Sequence, residues 1–304
     1  MSISIIIPTY NAESYLPKLL ESLKSQTLEF ELIIIDSSSK DRTISIAKEY
    51  ADRIIEIPQS EFDHGGTRTK AGLASTGDII IFLTQDALPY DENSIENIVK
   101  DFKDKKVGAS YGRQLAYQET NPFGKHLREF NYGEVSYIRE LKDRDIFGIK
   151  TAFLSDSFSA YRRGALDDIG WLKDGLIVGE DSYAGAKLLL VGYSLAYSAD
   201  AKVYHSHSYS IMQEFRRYFD IGVFHKREDW ILEEFGKAEG EGGRYLKLEI
   251  KYLISNGLYH LIPQFFLRNG MKYLGYKMGQ KYTIFSPKII KYLSMHPSWW
   301  KRYE

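Results

Sequence analysis

Along the N-terminal third of the chain, polar and apolar positions follow two periods in turn. Short apolar runs occur at 2–8 (SISIIIP), 30–36 (FELIIID), 53–58 (RIIEIP) and 78–89 (DIIIFLTQDALP). They are too short for helices, and their mostly unbroken apolar character fits strands covered on both faces. Between them lie segments with helical spacing. The first places Leu16, Leu19, Leu20 and Leu23 on one face; others follow at 37–51, Thr69 to Ser75 and 94–103. Strand and helix alternate, which predicts an α/β fold: an open, Rossmann-like, mostly parallel sheet flanked by helices, with right-handed crossovers.

Beyond Gly108 the pattern loosens. VGASYGRQLAY (107–117) and SDSFSAYRR (155–163) read as strands, and EDSYAGAKLLLVG (180–192) as a helix with an acidic start. The segment 193–210 reads as two short strands split by a turn at Ala199–Asp200. After Met212 the chain reads as amphipathic helices, with 236–244 (GKAEGEGGR) as a linker. Two regions are expected: a catalytic domain over 1–210 and a helical C-terminal region over 211–304.

Composition narrows the function classes. A chain of 304 residues, 43% apolar, can bury a sizeable core. Cysteine is absent, which excludes disulfides and thiolate metal sites and fits a reducing compartment. The first residues read as no signal peptide, and no window is apolar enough to span a bilayer. The net charge of −1 conceals an asymmetry: residues 244–304 carry +9 and the remainder −10. A basic tail on an acidic body predicts an anionic partner. With aromatics interleaved among Lys and Arg, an anionic membrane surface fits better than nucleic acid, for which no motif is present. The competing expectation is a helical subdomain that packs on the body or forms a homodimer.

Open parallel sheets bind ligands beyond the carboxyl ends of their strands. Those ends hold Pro8-Thr9-Tyr10-Asn11, Asp36-Ser37-Ser38-Ser39 and Thr84-Gln85-Asp86. Turn and cap chemistry alone would favour these residue types. Neither G-x-G-x-x-G after the first strand nor G-x-x-x-x-G-K-[ST] occurs, so dehydrogenase and P-loop phosphate cradles are missing.

The ordered segments SIIIPTYNAESYLPKLLESLKSQ, ELIIIDSSSKDRT, GDIIIFLTQDALP and GEDSYAGAKLLLVGY resemble the family-2 glycosyltransferases of GT-A fold, over roughly residues 3 to 210. FDHGGTR followed by LTQDALP resembles the bacterial rhamnosyltransferases that use dTDP-L-rhamnose. The resemblance implies sugar transfer from a nucleotide donor with inversion. It implies that Thr9, Tyr10, Glu13, Asp36 and Gln85 hold the nucleotide sugar, and that Asp86 binds Mg²⁺ or Mn²⁺ at the D-x-D position. Thr84 stands where that motif has its first Asp. His205 and His207 are candidate further metal ligands. Asp181 is implied as the general base, with Glu180 and Trp171 near the acceptor. In EFDHGGTRTKAG (61–72), Gly65 and Gly66 are expected to let backbone approach the donor. Arg68 is expected to pair with phosphate or an acid of the site, and His64 to touch the sugar or shape the loop. The expected acceptor is a lipid-linked or growing cell-surface polysaccharide at the inner face of the cell membrane. A UDP-sugar donor is the alternative within the class; a non-catalytic sugar-nucleotide-binding or scaffold protein is the alternative outside it.

Overall fold

The computed structural model describes residues 1–236 and 239–303. The chain runs β1 (Ile3–Thr9), α1 (Leu16–Lys24), β2 (Glu31–Asp36), α2 (Thr43–Ala47), β3 (Arg53–Glu56), α3 (His64–Ala74), β4 (Ile79–Leu83), β5 (Leu88–Pro89) and α4 (Ser94–Val99). It continues through β6 (Val107–Leu115), α5 (Pro122–Asn131), β7 (Tyr137–Arg139), α6 (Arg144–Phe147), β8 (Phe158–Arg162), α7 (Arg163–Ile169), α8 (Glu180–Leu190) and β9 (Ser194–Tyr204). From there the described residues form no further strand: α9 (Ile211–Arg227), α10 (Trp230–Phe235), α11 (Glu239–Ser255), α12 (Ile262–Gly279), α13 (Pro287–Leu293) and α14 (Trp299–Tyr303) follow.

The sheet has the order β3-β2-β1-β4-β8-β6-β9-β5, with β7 paired to β9. Strands β1 to β4 are parallel to one another, with Ile6 between Ile33 and Phe82. The alternation within β1 explains its uninterrupted apolar run. Ile6 enters one core layer with Ile33, Ile80 and Phe82, while Ile5 and Ile7 enter the other with Leu16, Leu19, Leu20 and Leu23 of α1. Both faces are therefore buried.

Four expectations need correction. The sheet is mixed, because β8 runs antiparallel between β4 and β6. The segment read as two strands is the single strand β9; the suspected turn is a bulge, where the register against β6 slips between Gly112 and Arg113. Helix α3 begins at His64, not Thr69, because the Asp63 side chain accepts the Gly66 N–H and caps it. Of the expected linker, Lys237 and Ala238 lie outside the described residues, and α11 begins at Glu239.

The C-terminal helices share the core of the body. Phe219, Val223, Phe224, Ile231, Phe235, Trp299 and Trp300 belong to the same apolar layer as Ile6 and Phe82. Helices α9 and α12 meet backbone to backbone. A Cβ on Gly275 would lie 2.4 Å from the Phe215 carbonyl oxygen, and one on Gly279 2.0 Å from that of Phe219.

Candidate functional site

The rim above β1, β2 and β4 is a closed hydrogen-bond network. Asp36 accepts from the Thr9 hydroxyl (2.8 Å), the Ser39 hydroxyl (2.6 Å) and the Ser39 N–H (2.8 Å). It is 0% exposed, so it braces the rim, and a nucleobase could reach its oxygens only if Ser39 turned away. Asn11 and Ser38 hold left-handed backbone at φ 47° and 60°, strain typical of sites held for a purpose. Glu13 accepts the Arg42 N–H, and Gln85 accepts the Tyr10 N–H at 2.9 Å. The Gln85 amide is thus spent on holding the β1 loop. Tyr10, 39% exposed, is the ring this network presents to solvent.

Beside the rim a cleft of about 570 Å³ opens between the sheet ends, α5, α8 and α9. At one side lie Asp86, His205 and His207, with ligand atoms within 4.8 Å of one another. His205 Nε2 is 3.5 Å and His207 Nε2 3.6 Å from the Asp86 oxygens. Burial pushes the Asp86 carboxyl up, but the His205 hydrogen bond leads the groups that outweigh it and hold it well below the ordinary range. Burial and then His205 push His207 down to about 4, so it is neutral and able to ligate at neutral pH.

Hydrogen bonds fix the tautomer of His205. Arg128 Nη1 donates to Gln114 Oε1, and since arginine only donates, that atom must be the amide oxygen. His205 Nδ1 lies 2.9 Å from the same oxygen and therefore carries the proton. With Nδ1 spent on Gln114, Nε2 is the ring atom that faces the Asp86 carboxylate. Two acceptors facing across 3.5 Å require a cation or a shared proton between them. The residues present fit a divalent metal.

Across the cleft, two carboxylates face Arg68 and a third, Asp181, lies beside them. Glu180 opens α8 and accepts from Arg68 Nη1 at 2.9 Å; Asp156 Oδ2 lies 4.0 Å from Arg68 Nε. Asp156 also accepts from the Ser159 and Tyr161 hydroxyls, at 2.6 and 2.7 Å. Asp181 is half-buried at the cleft surface. Burial first, then the charges of Glu180 and Asp156, push its carboxyl up to about 8. The arrangement supplies a proton acceptor poised near neutrality, facing a cation site across one cleft.

Residues 4–170 match the description "Glycosyl transferase family 2". O-antigen chain rhamnosyltransferase RfbN of Salmonella typhimurium is 43% identical over 304 residues, covering 99% of this chain and 96% of that protein. Its counterpart WbaN of Salmonella anatum is 44% identical over 302 residues, covering 98% and 96%. The chain belongs to glycosyltransferase family 2. The fold agrees. It is similar to the mannosyltransferase PcManGT from Pyrobaculum calidifontis, solved with GDP-Man and Mn²⁺ (TM-score 0.59, 17% identity, 99% of this chain and 85% of that one). It is also similar to S. aureus TarS 1–349 solved with UDP-GlcNAc (TM-score 0.57, 18% identity, 92% and 91%). This family member has a GT-A fold.

Of the residues singled out in this glycosyltransferase from sequence, the cleft brings together His64, Arg68, Asp86, Glu180, Asp181, His205 and His207. Thr9, Tyr10, Glu13, Asp36 and Gln85 form the rim beside it. Trp171 does not reach the cleft. Its indole donates to Asp167 at 2.8 Å and the ring packs against Gly72, where a Cβ would lie 2.3 Å from it. It is a core residue. Gly65 and Gly66 do not approach the cleft either: a Gly65 Cβ would meet the Lys173 carbonyl oxygen at 2.0 Å, so this glycine admits the 171–175 loop. The N–H of Gly66 is already used by Asp63, which also accepts from Gly175 N and the Tyr303 hydroxyl. His64 sits between Phe62 and His296; burial, then Arg68, push it down to about 4. Sequence reading missed Asp156, Gln114, Arg128 and Arg217, the last an exposed cation from α9 at the cleft wall.

Proposed function

We propose that this glycosyltransferase transfers L-rhamnose from dTDP-L-rhamnose, with inversion, to a lipid-linked or growing O-antigen-type cell-surface polysaccharide. The observation that carries the donor and acceptor is the 43–44% identity to two O-antigen chain rhamnosyltransferases across nearly the whole chain. Residues 1–210 form the catalytic domain and 211–304 a helical region that completes the cleft and brings it to the inner face of the cell membrane.

Asp86, His205 and His207 would hold the metal. One carboxylate with two imidazoles suits Mn²⁺ better than Mg²⁺, which favours oxygen ligands. When bound, the ion offsets charge on the departing diphosphate. Arg217, over the Tyr209 ring that packs on His207, adds positive charge beside the same cluster. Tyr10 and the rim carry the nucleoside. Asp181 accepts the acceptor hydroxyl proton as that oxygen attacks the anomeric carbon and the C–O bond to the diphosphate breaks. Glu180 and Asp156 keep Asp181 basic, and Arg68 holds those two carboxylates in place.

The test is transfer from dTDP-L-rhamnose and from a panel of UDP-sugars to a lipid-linked acceptor, with and without Mn²⁺. Transfer of rhamnose alone, stimulated by Mn²⁺, is expected. Turnover of a UDP-sugar in preference would overturn the donor assignment; no turnover of any donor would leave a non-catalytic binding protein.

A further inference from the structure

Helix α12 is inverted relative to an ordinary surface helix. Its inward side carries the buried cations Arg268 and Lys272, both paired with Glu214, and the close-packed Gly275 and Gly279. Its outward side is apolar. Phe266 is 65% exposed, Leu267 54%, Tyr273 62% and Leu274 47%, and helical spacing places them on one stripe with Gly270 and Lys277. Further along the chain Ile284, Ile289 and Tyr292 are exposed as well. Water is a poor partner for a contiguous apolar surface of this kind, which marks an interaction site.

Charge decides what covers it. Residues 250–303 contain nine Lys/Arg and no Asp or Glu. With Arg268 and Lys272 occupied inside, Lys251 of α11, Lys281 just after α12 and Lys288 of α13 are exposed cations of the same C-terminal region. A second copy of the same face would bring cations against cations. A second group of exposed apolar residues, Val135, Ile138, Ile146 and Phe147, lies in a stretch where Glu134, Glu140, Asp143 and Asp145 outnumber Arg139, Lys142 and Arg144, so it lacks this bias. We infer that the outward face of α12, with the loop and helix through Tyr292, docks on an anionic phospholipid surface, its aromatics entering the headgroup zone and its lysines lying over the lipid phosphates.

The placement has a consequence for catalysis, and this part rests on the proposed lipid-linked acceptor. Lys272 on the inner side of α12 lines the cleft, and α12 packs against α9, which forms the cleft wall. The lipid surface would lie about one to two helix diameters, about 10–20 Å, from the reacting centre. An acceptor anchored by its lipid could present its sugar end without leaving the bilayer.

The experiment is sedimentation of the full chain with phosphatidylglycerol/phosphatidylcholine vesicles and with phosphatidylcholine alone, without donor or acceptor. Wild type is expected to bind the anionic vesicles and to dissociate as salt rises. The double variant F266E/Y273E should lose at least about tenfold in partitioning, while V135E/I146E binds as wild type. Both pairs are exposed, and unchanged thermal unfolding verifies their folds. Equal sedimentation of F266E/Y273E and wild type would overturn the assignment, as would equal binding to neutral vesicles. So would a dimer in vesicle-free solution that F266E/Y273E dissolves. Because no sugar is transferred, failure here leaves the donor assignment standing, and failure of the donor assay leaves this surface standing.

Discussion

Asp181→Asn is expected to lower the transfer rate by about 10²–10⁴-fold while leaving donor affinity nearly unchanged. The Asn side chain keeps the shape but cannot take a proton, and a positioned base contributes rate of this order. The wild-type pH profile carries a second signature. Asp181 acts only as carboxylate, and its carboxyl is pushed up to about 8. Thus kcat/KM of wild type should climb about tenfold per pH unit below about 8 and then level. Glu180→Gln removes the second largest cause of that elevation and should move the bend to lower pH. The stability effect runs the other way. A carboxyl raised in the folded state costs stability as pH climbs from the ordinary carboxylate range to about 8, and Asn escapes that cost. Asp181→Asn should therefore melt at least about 2 °C above wild type at pH 8, and the two should converge near pH 4. Residual transfer within tenfold of wild type would place the base elsewhere.

The contrast between Asp181 and Asp156 shows how far sequence could reach. Asp181 stands in GEDSYAGAKLLLVG, where an acidic pair opens a helical period, and local pattern suffices to mark it. Asp156 precedes the strand Phe158–Arg162, and nothing in SDSFSAYRR says which way that strand runs. Only because β8 is antiparallel to β4 does its start lie beside the end of β4, on the rim where ligands bind. Orientation within a sheet is a long-range property, and periodicity is silent on it. The same reason hides Gln114, whose role follows from a contact spanning 91 residues to His205. The parallel strands were legible because burial on both faces leaves an unbroken apolar run. Trp171 and Gly65 misled for the opposite reason. Aromatic and glycine residues serve packing as readily as ligands, and only the neighbours at Gly72 and Lys173 separate the two uses.

Arg68→Met should produce the largest loss of stability among single changes at the site. The methionine replaces the arginine's apolar stem out to about Nε but brings no charge. It would leave Glu180 and Asp156, both buried, without the cation that faces them at 2.9 and 4.0 Å, next to Asp181. Removing one partner of a buried ion pair costs about 3–5 kcal/mol, which in a chain of this size lowers Tm by on the order of 10 °C. The sign of the pH dependence separates this from lost packing. Without Arg68 the Asp156 carboxyl, already raised by burial, rises further, so the penalty is full at pH 8 and shrinks as falling pH protonates the stranded carboxylates. Thermal unfolding of Arg68→Met at pH 8 and at pH 5 should show a gap from wild type that narrows on acidification. Adding Glu180→Gln to Arg68→Met removes the stranded charge and should recover part of the loss, a non-additivity expected only of groups in direct contact. A gap that stays constant with pH, or a double variant no more stable than the single one, would mean that Arg68 supports the fold through its side-chain stem and not through its charge.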